Sequence, residues 1–172
     1  TGIVRSLTVP DKFGAELSSL SIETGKSAIS SWISESLLPA NLELPERIDL
    51  RGRLSGNMNN ANAALTLNSS FGLIRFQGRL NGIKQRSTAR YELDLQELNM
   101  NVGQWIRDTS IGLIVASGTV KGQGFDPETI NGEAAVRIQQ ASIKGYNYQQ
   151  IEIAGSLNQQ QYTAYMNSLD TN

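Results

Sequence analysis

The chain has 172 residues, 39% of them hydrophobic, with 15 basic and 16 acidic side chains and a net charge of −1. That balance lacks the basic excess with which nucleic-acid binders displace counterions, and the apolar content is too high for an acidic disordered tail. With no cysteine and no histidine, disulfide frameworks, thiolate chemistry, cysteine-ligated metal sites and the usual general base near neutral pH are all excluded. At about 100–200 residues per domain the chain is one domain or one segment of a larger repetitive protein.

The first predicted element is a strand over 3–9. Because the sequence opens inside it without an initiator Met, we expect an excised fragment whose targeting or anchoring segment lies elsewhere. Residues 27–38 place Ile29, Trp32, Ile33 and Leu37 at helical spacing, with Pro39 as a stop. From residue 48 the pattern changes to period two, the mark of half-buried strands. Ile48-Asp49-Leu50-Arg51-Gly52-Arg53-Leu54 alternates, as does Leu73-Ile74-Arg75-Phe76-Gln77-Gly78-Arg79-Leu80. The clearest case is Ala89-Arg90-Tyr91-Glu92-Leu93-Asp94-Leu95. A second short helix is predicted over 102–107, capped by Asn101 and turning Val102, Trp105 and Ile106 to the sheet. Further strands are predicted over 114–121, 134–139, 150–157 and 161–166.

Alternation with one wet face calls for antiparallel pairing, since a parallel sheet would show near-continuous apolar runs. The connectors, such as Gly56-Asn57-Met58-Asn59-Asn60 and Asn68-Ser69-Ser70, are short and polar and suit hairpins. The strands are therefore expected to pair in sequence order. Gly-x-apolar-x-Gly recurs at Gly52-Arg53-Leu54-Ser55-Gly56, Gly78-Arg79-Leu80-Asn81-Gly82 and Gly118-Thr119-Val120-Lys121-Gly122. Glycine within a strand marks a bulge, a bend or a close approach of another backbone, so a curved sheet is expected. The fold class is all-β with minor helices: a curved, open antiparallel meander over about 48–166, capped by two short helices.

The search for chemistry is short. Gly122-Gln123-Gly124 opens like a dinucleotide fingerprint, but Pro127 stands where the third glycine belongs and no adequate helix follows. Asp126-Pro127-Glu128-Thr129 reads as a capped helical turn, and no loop supplies the further oxygens that calcium needs. Glu92 and Asp94 share a strand face with Arg90 and read as part of a solvated surface, where Arg51, Arg53, Arg75, Arg79 and Arg90 are expected to meet cross-strand carboxylates. The aromatics that stack bases are not interleaved with these arginines. Both tryptophans, Trp32 and Trp105, are expected to plug the ends of the apolar face, with contact to lipid as the other reading. Two short helices cannot cover a sheet of this extent. It must close, meet a second sheet, or leave a groove for an apolar ligand.

Four phrases in order carry a resemblance: Leu44-Pro45-Glu46-Arg47-Ile48-Asp49-Leu50-Arg51-Gly52, Asn99-Met100-Asn101-Val102-Gly103-Gln104-Trp105-Ile106, Gly122-Gln123-Gly124-Phe125-Asp126-Pro127-Glu128-Thr129 and Ile143-Lys144-Gly145-Tyr146-Asn147-Tyr148-Gln149-Gln150-Ile151. From about Leu42 onward the sequence resembles the periplasmic part of AsmA-like and TamB-like proteins, particularly the large forms in Bacteroidetes. The resemblance implies an inner-membrane anchor outside this sequence and a long open sheet, curled like a taco, whose apolar interior conducts phospholipid towards the outer membrane. It implies no catalytic residue and no cofactor. For the TamB branch it also implies an outer-membrane β-barrel partner in protein assembly. On this reading the groove is lined by Leu50, Leu65, Leu67, Ile74, Phe76, Tyr91, Leu93, Leu95, Val136, Ile138, Ile151 and Ile153, and the bound partner is a phospholipid or another amphiphile. Two other readings stay open: an assembly factor that offers its sheet edge or groove to unfolded strands of outer-membrane proteins, and a structural repeat module with a dry core.

Overall fold

The computed structural model of the chain describes residues 1–5, 14–32, 41–126, 130–158 and 161–168. Ten strands form one sheet in sequence order: β1 (Gly2–Arg5), β2 (Gly14–Thr24), β3 (Ile48–Asn57), β4 (Asn60–Ser69), β5 (Gly72–Asn81), β6 (Arg90–Asn101), β7 (Ile111–Gln123), β8 (Asn131–Ile143), β9 (Tyr146–Asn158) and β10 (Gln161–Ser168). Every neighbouring pair is antiparallel. β1 and β10 do not pair with each other, so the sheet is curved and unclosed.

Local chemistry explains why the chain turns where it does. Between β3 and β4 the Asn57 side-chain oxygen accepts from the backbone N–H of Asn59 at 2.8 Å and of Asn60 at 2.9 Å, an Asx turn that reverses the strand in two residues. Between β4 and β5 the Ser69 hydroxyl oxygen accepts from Phe71 N–H. Between β8 and β9, Lys144 and Gly145 both hold positive φ, 51° and 83°, as the commonest two-residue hairpins require. Within β3, a Cβ on Gly52 would lie 2.0 Å from the Ala64 carbonyl oxygen, the close backbone approach that the recurrent glycine phrase predicts.

Two short helices lie at one end of the strands. α1 (Lys26–Trp32) follows β2, and α2 (Val102–Ile106) joins β6 to β7. The Asn101 side chain caps α2 by accepting from Gln104 N–H at 3.1 Å, as predicted, and Arg107 ends it in the left-handed conformation. The rest of the helix predicted over 27–38, together with the Trp32 side chain, lies outside the described residues, as do most of the strand predicted over 3–9 and residues 127–129. Trp105, expected to face the sheet, is 40% exposed. The sheet is also wider than the predicted 48–166, because β1 and β2 add to it, and β2 and β4 are strands that the alternation did not mark.

Burial is sparse. Among the described residues only Ala89, Met100, Ala116 and Ala141 form a buried apolar core, and no large side chain is fully enclosed. Met100, Ala116 and Ala141 share one sheet face, at the end nearest α2. A domain normally buries an apolar layer against a second layer; here most of the apolar layer is only half-covered.

Candidate functional site

Strand register assembles the site. Side chains directly opposite across an antiparallel pair point to the same face, so each transverse row can be followed from strand to strand. One row runs Leu50, Leu67, Ile74, Leu98, Ala116, Ile138, Ile151 across β3 to β9. The next runs Leu65, Phe76, Leu95, Gly118, Val136, Ile153, Met166 across β4 to β10. Leu93 lies in a third row, opposite Gly78 and Val120, and Tyr91 in a fourth, opposite Leu80 and Gly122. All twelve predicted lining residues therefore share one face of one sheet. Leu93 at 39% and Ile153 at 37% are the most open of them, and the others are half-buried.

The face also holds residues that the prediction left out. Val120 and Met166 continue the rows, and their signal was the alternation of their own strands. Leu17, Leu20 and Ile22 of β2 lie on this face as well. They were hidden because the register slips between Leu17 and Leu20, which throws the two halves of the strand out of phase. Tyr91 has a packing task. A Cβ on Gly122 would sit 2.6 Å from its hydroxyl and one on Gly132 3.3 Å away, so the ring lies across both glycines, stacked on Phe125 at 5.2 Å between centroids.

The opposite face is polar, and its charges are paired across strands. Arg75 meets Glu97 at 3.2 Å, Arg79 meets Glu92 at 3.4 Å, Lys121 meets Glu133 at 2.5 Å and Arg137 meets Glu152 at 2.7 Å. The Gln77 side-chain amide donates to Asp94 at 2.9 Å. Arg51 meets Asp49 at 2.7 Å and Glu23 at 3.4 Å, and Arg90 donates to the Gln123 side chain. Of the five arginines of the stripe, Arg51, Arg75 and Arg79 are thus ion-paired, Arg90 meets an amide rather than a carboxylate, and Arg53 stands outside the ladder. Asp49, by hydrogen bond and charge, raises the Arg51 guanidinium above its ordinary pKa, and Glu133 does the same to Lys121.

The strand ends are tied off. At the helical end Glu43 accepts hydrogen bonds from Lys26 and, at 2.8 Å, from Arg107 Nε, while its backbone N–H donates to the Trp105 carbonyl at 2.8 Å. The hydrogen bond from Lys26, then that from Arg107, hold the Glu43 carboxyl below its usual value, and Glu43 in turn raises Lys26. At the other end the turn between β5 and β6 is held by Ile83 N–H to Asn59 O at 3.0 Å and by Phe125 N–H to Arg86 O at 3.0 Å. The apolar face is a broad surface rather than an enclosed pocket. A cavity of about 640 Å³ over β6 to β10 is lined along the second row by Leu95, Gly118, Val136, Ile153 and Met166 together with their chain neighbours.

Among the described residues no group of three or more acidic side chains could hold a metal ion, and no helix is long and apolar enough to cross a membrane. The chain matches no family model, no curated protein and no solved structure.

Proposed function

We propose that this chain is a segment of a periplasmic bridge, AsmA-like or TamB-like, that carries phospholipid between the inner and outer membranes along its apolar face. The observation that supports this reading most is the set of apolar rows across an unclosed sheet that, among the described residues, carries no second layer over most of its face. Each CH₂ moved from water to an apolar surface gains about 0.8 kcal/mol. An acyl chain is held by such a face without any specific contact, while a charged headgroup stays at the solvent boundary. A conduit needs that non-specific grip, because a site with strong directional bonds would arrest the lipid. The anchor of the bridge belongs to a segment outside this sequence, in the inner membrane.

Native mass spectrometry of the purified chain, mixed with phospholipid and followed by extraction, tests the reading. Leu93→Asp and Phe76→Arg place a charge on the face and are expected to lower bound lipid by roughly tenfold or more. Thr119→Asp, on the polar face, is expected to leave it unchanged. A folded Leu93→Asp or Phe76→Arg chain that still carries lipid would contradict the reading.

A further inference from the structure

Exposure along the apolar face is graded. In β6 it rises from 4% at Met100 to 39% at Leu93, and in β7 from 5% at Ala116 to 36% at Val120. Both strands have at least three neighbours on either side, so the gradient belongs to the interior of the sheet and not to its edges. The buried end is the helical one, where Lys26 and Arg107 converge on Glu43.

The open end leads to a rim of different chemistry. One residue past the Tyr91 row, Asn60, Asn81, Arg90, Gln123, Asn131 and Asn158 stand opposite one another across β4 to β9. The row holds five amides and one cation, and no carboxylate. A cavity of about 810 Å³ is lined by most of this rim and also by Tyr91, Gly122 and Gly132 of the fourth row. Its other cations, Arg79 and Lys121, are matched by Glu92 and Glu133. Arg90 instead donates to the Gln123 amide oxygen at 3.4 Å. The cavity therefore carries one positive charge in excess.

We propose that the bound lipid lies along the strands, with its acyl ends at the helical end of the apolar face and a phosphate-bearing headgroup at the amide rim, beside Arg90. This rests on the lipid reading above and names its substrate class, a diacyl lipid with a phosphate rather than a neutral glyceride. The length suits it. From Gly132 to Ile138 in β8 the apolar rows span roughly 20 Å at ~3.4 Å per residue, against the ~15 Å that one leaflet's chains occupy in a bilayer with a ~30 Å apolar core. The rim side chains belong to the polar side of the sheet, so the headgroup turns over the strand ends and keeps its charge in water. The reverse orientation would press that charge against Met100 and Ala141, which are 4% and 2% exposed. Guanidinium and amide N–H groups both donate to phosphate oxygens, and the neutral amides do so without the grip of several charges.

Two phosphatidylcholine probes test the orientation on the unaltered chain, one photoreactive at an acyl terminus and one on the headgroup, with adducts mapped by peptide mass spectrometry. The acyl probe is expected to label residues 95–100 and 114–118, and the headgroup probe residues 79–91 and 121–132. Neither should label the other's segments above background. Arg90→Gln is expected to weaken phosphatidylcholine binding by about threefold and to leave binding of a diacylglycerol with the same chains unchanged. Adducts of both probes in the same segments, or in the reverse order, would overturn the orientation and leave the lipid reading standing. Unchanged phosphatidylcholine binding in Arg90→Gln, or an equal loss for diacylglycerol, would overturn the role of Arg90 and the substrate class. No adduct with either probe would overturn both this inference and the reading beneath it.

Discussion

The Tyr91 ring occupies space that two glycines leave open, and this ties one apolar side chain to a backbone requirement. Gly122 cannot accept a Cβ without meeting the Asn131 carbonyl at 2.5 Å and the Tyr91 hydroxyl at 2.6 Å. Gly122→Ala is therefore expected to destabilise the fold by about 1–3 kcal/mol, read from denaturant unfolding. Gly14→Ala, where the nearest atom is the Gly56 carbonyl oxygen at 3.7 Å, is the control and should change stability little. Equal effects at the two positions would show that the ring is not held there. Tyr91 belongs to the apolar face, but its packing over the glycines leaves it less available to a ligand than Leu93 or Val120. The sequence placed Tyr91 on the correct face because Arg90 and Glu92 flank it. It could not reveal the ring's resting place, which depends on glycines about 30 and 40 residues further along.

At the scale of the strand, the bulge in β6 decides whether alternation can be read. Leu95 faces Phe76 and Gly118, Leu98 faces Ile74 and Ala116, Gln96 is the surplus residue against β5, and Gln96 and Glu97 together stand against the single residue Ser117 of β7. Without Gln96, Leu95-Glu97-Leu98 would alternate perfectly. Deletion of Gln96 is expected to leave the chain folded, within about 1–2 kcal/mol of the parent, because both ladders can close over the gap. Deletion of Asp94 lets the same bulge close, so residues from Glu97 onward keep their faces, but it turns Leu95 to the polar face and Gln96 to the apolar one and is expected to cost more stability than deletion of Gln96. The same logic explains what was legible. β3, β5 and the first half of β6 alternate without interruption and were found. β2 loses phase at its register slip. β4, rich in Ala, Asn and Thr, carries little contrast between its two faces, although Leu65 and Leu67 were still assigned to the right one. Gln139 and Gln150 sit at a further irregularity, where β8 and β9 both pass over a residue, so the strands predicted over 134–139 and 150–157 were cut short there.

At the scale of the molecule, the chain has one apolar face, one face of paired charges, tied strand ends and two sheet edges. The order of the strands and the fold class followed from short polar connectors and one-sided alternation, since hairpins leave a meander as the simplest path. The extent of burial did not follow, because composition cannot say whether a curved sheet closes. An unclosed sheet makes the face available, and availability is what the lipid reading requires. Its central claim is that amphiphile contacts one face and avoids the other. A photoreactive side chain placed at Val120, on the apolar face, and in a second chain at the adjacent Thr119, on the polar face, separates the two within one strand. With phospholipid present and the same illumination, we expect acyl-chain adducts at position 120 and none above background at position 119. Equal labelling at both positions, or none at 120, would contradict the account.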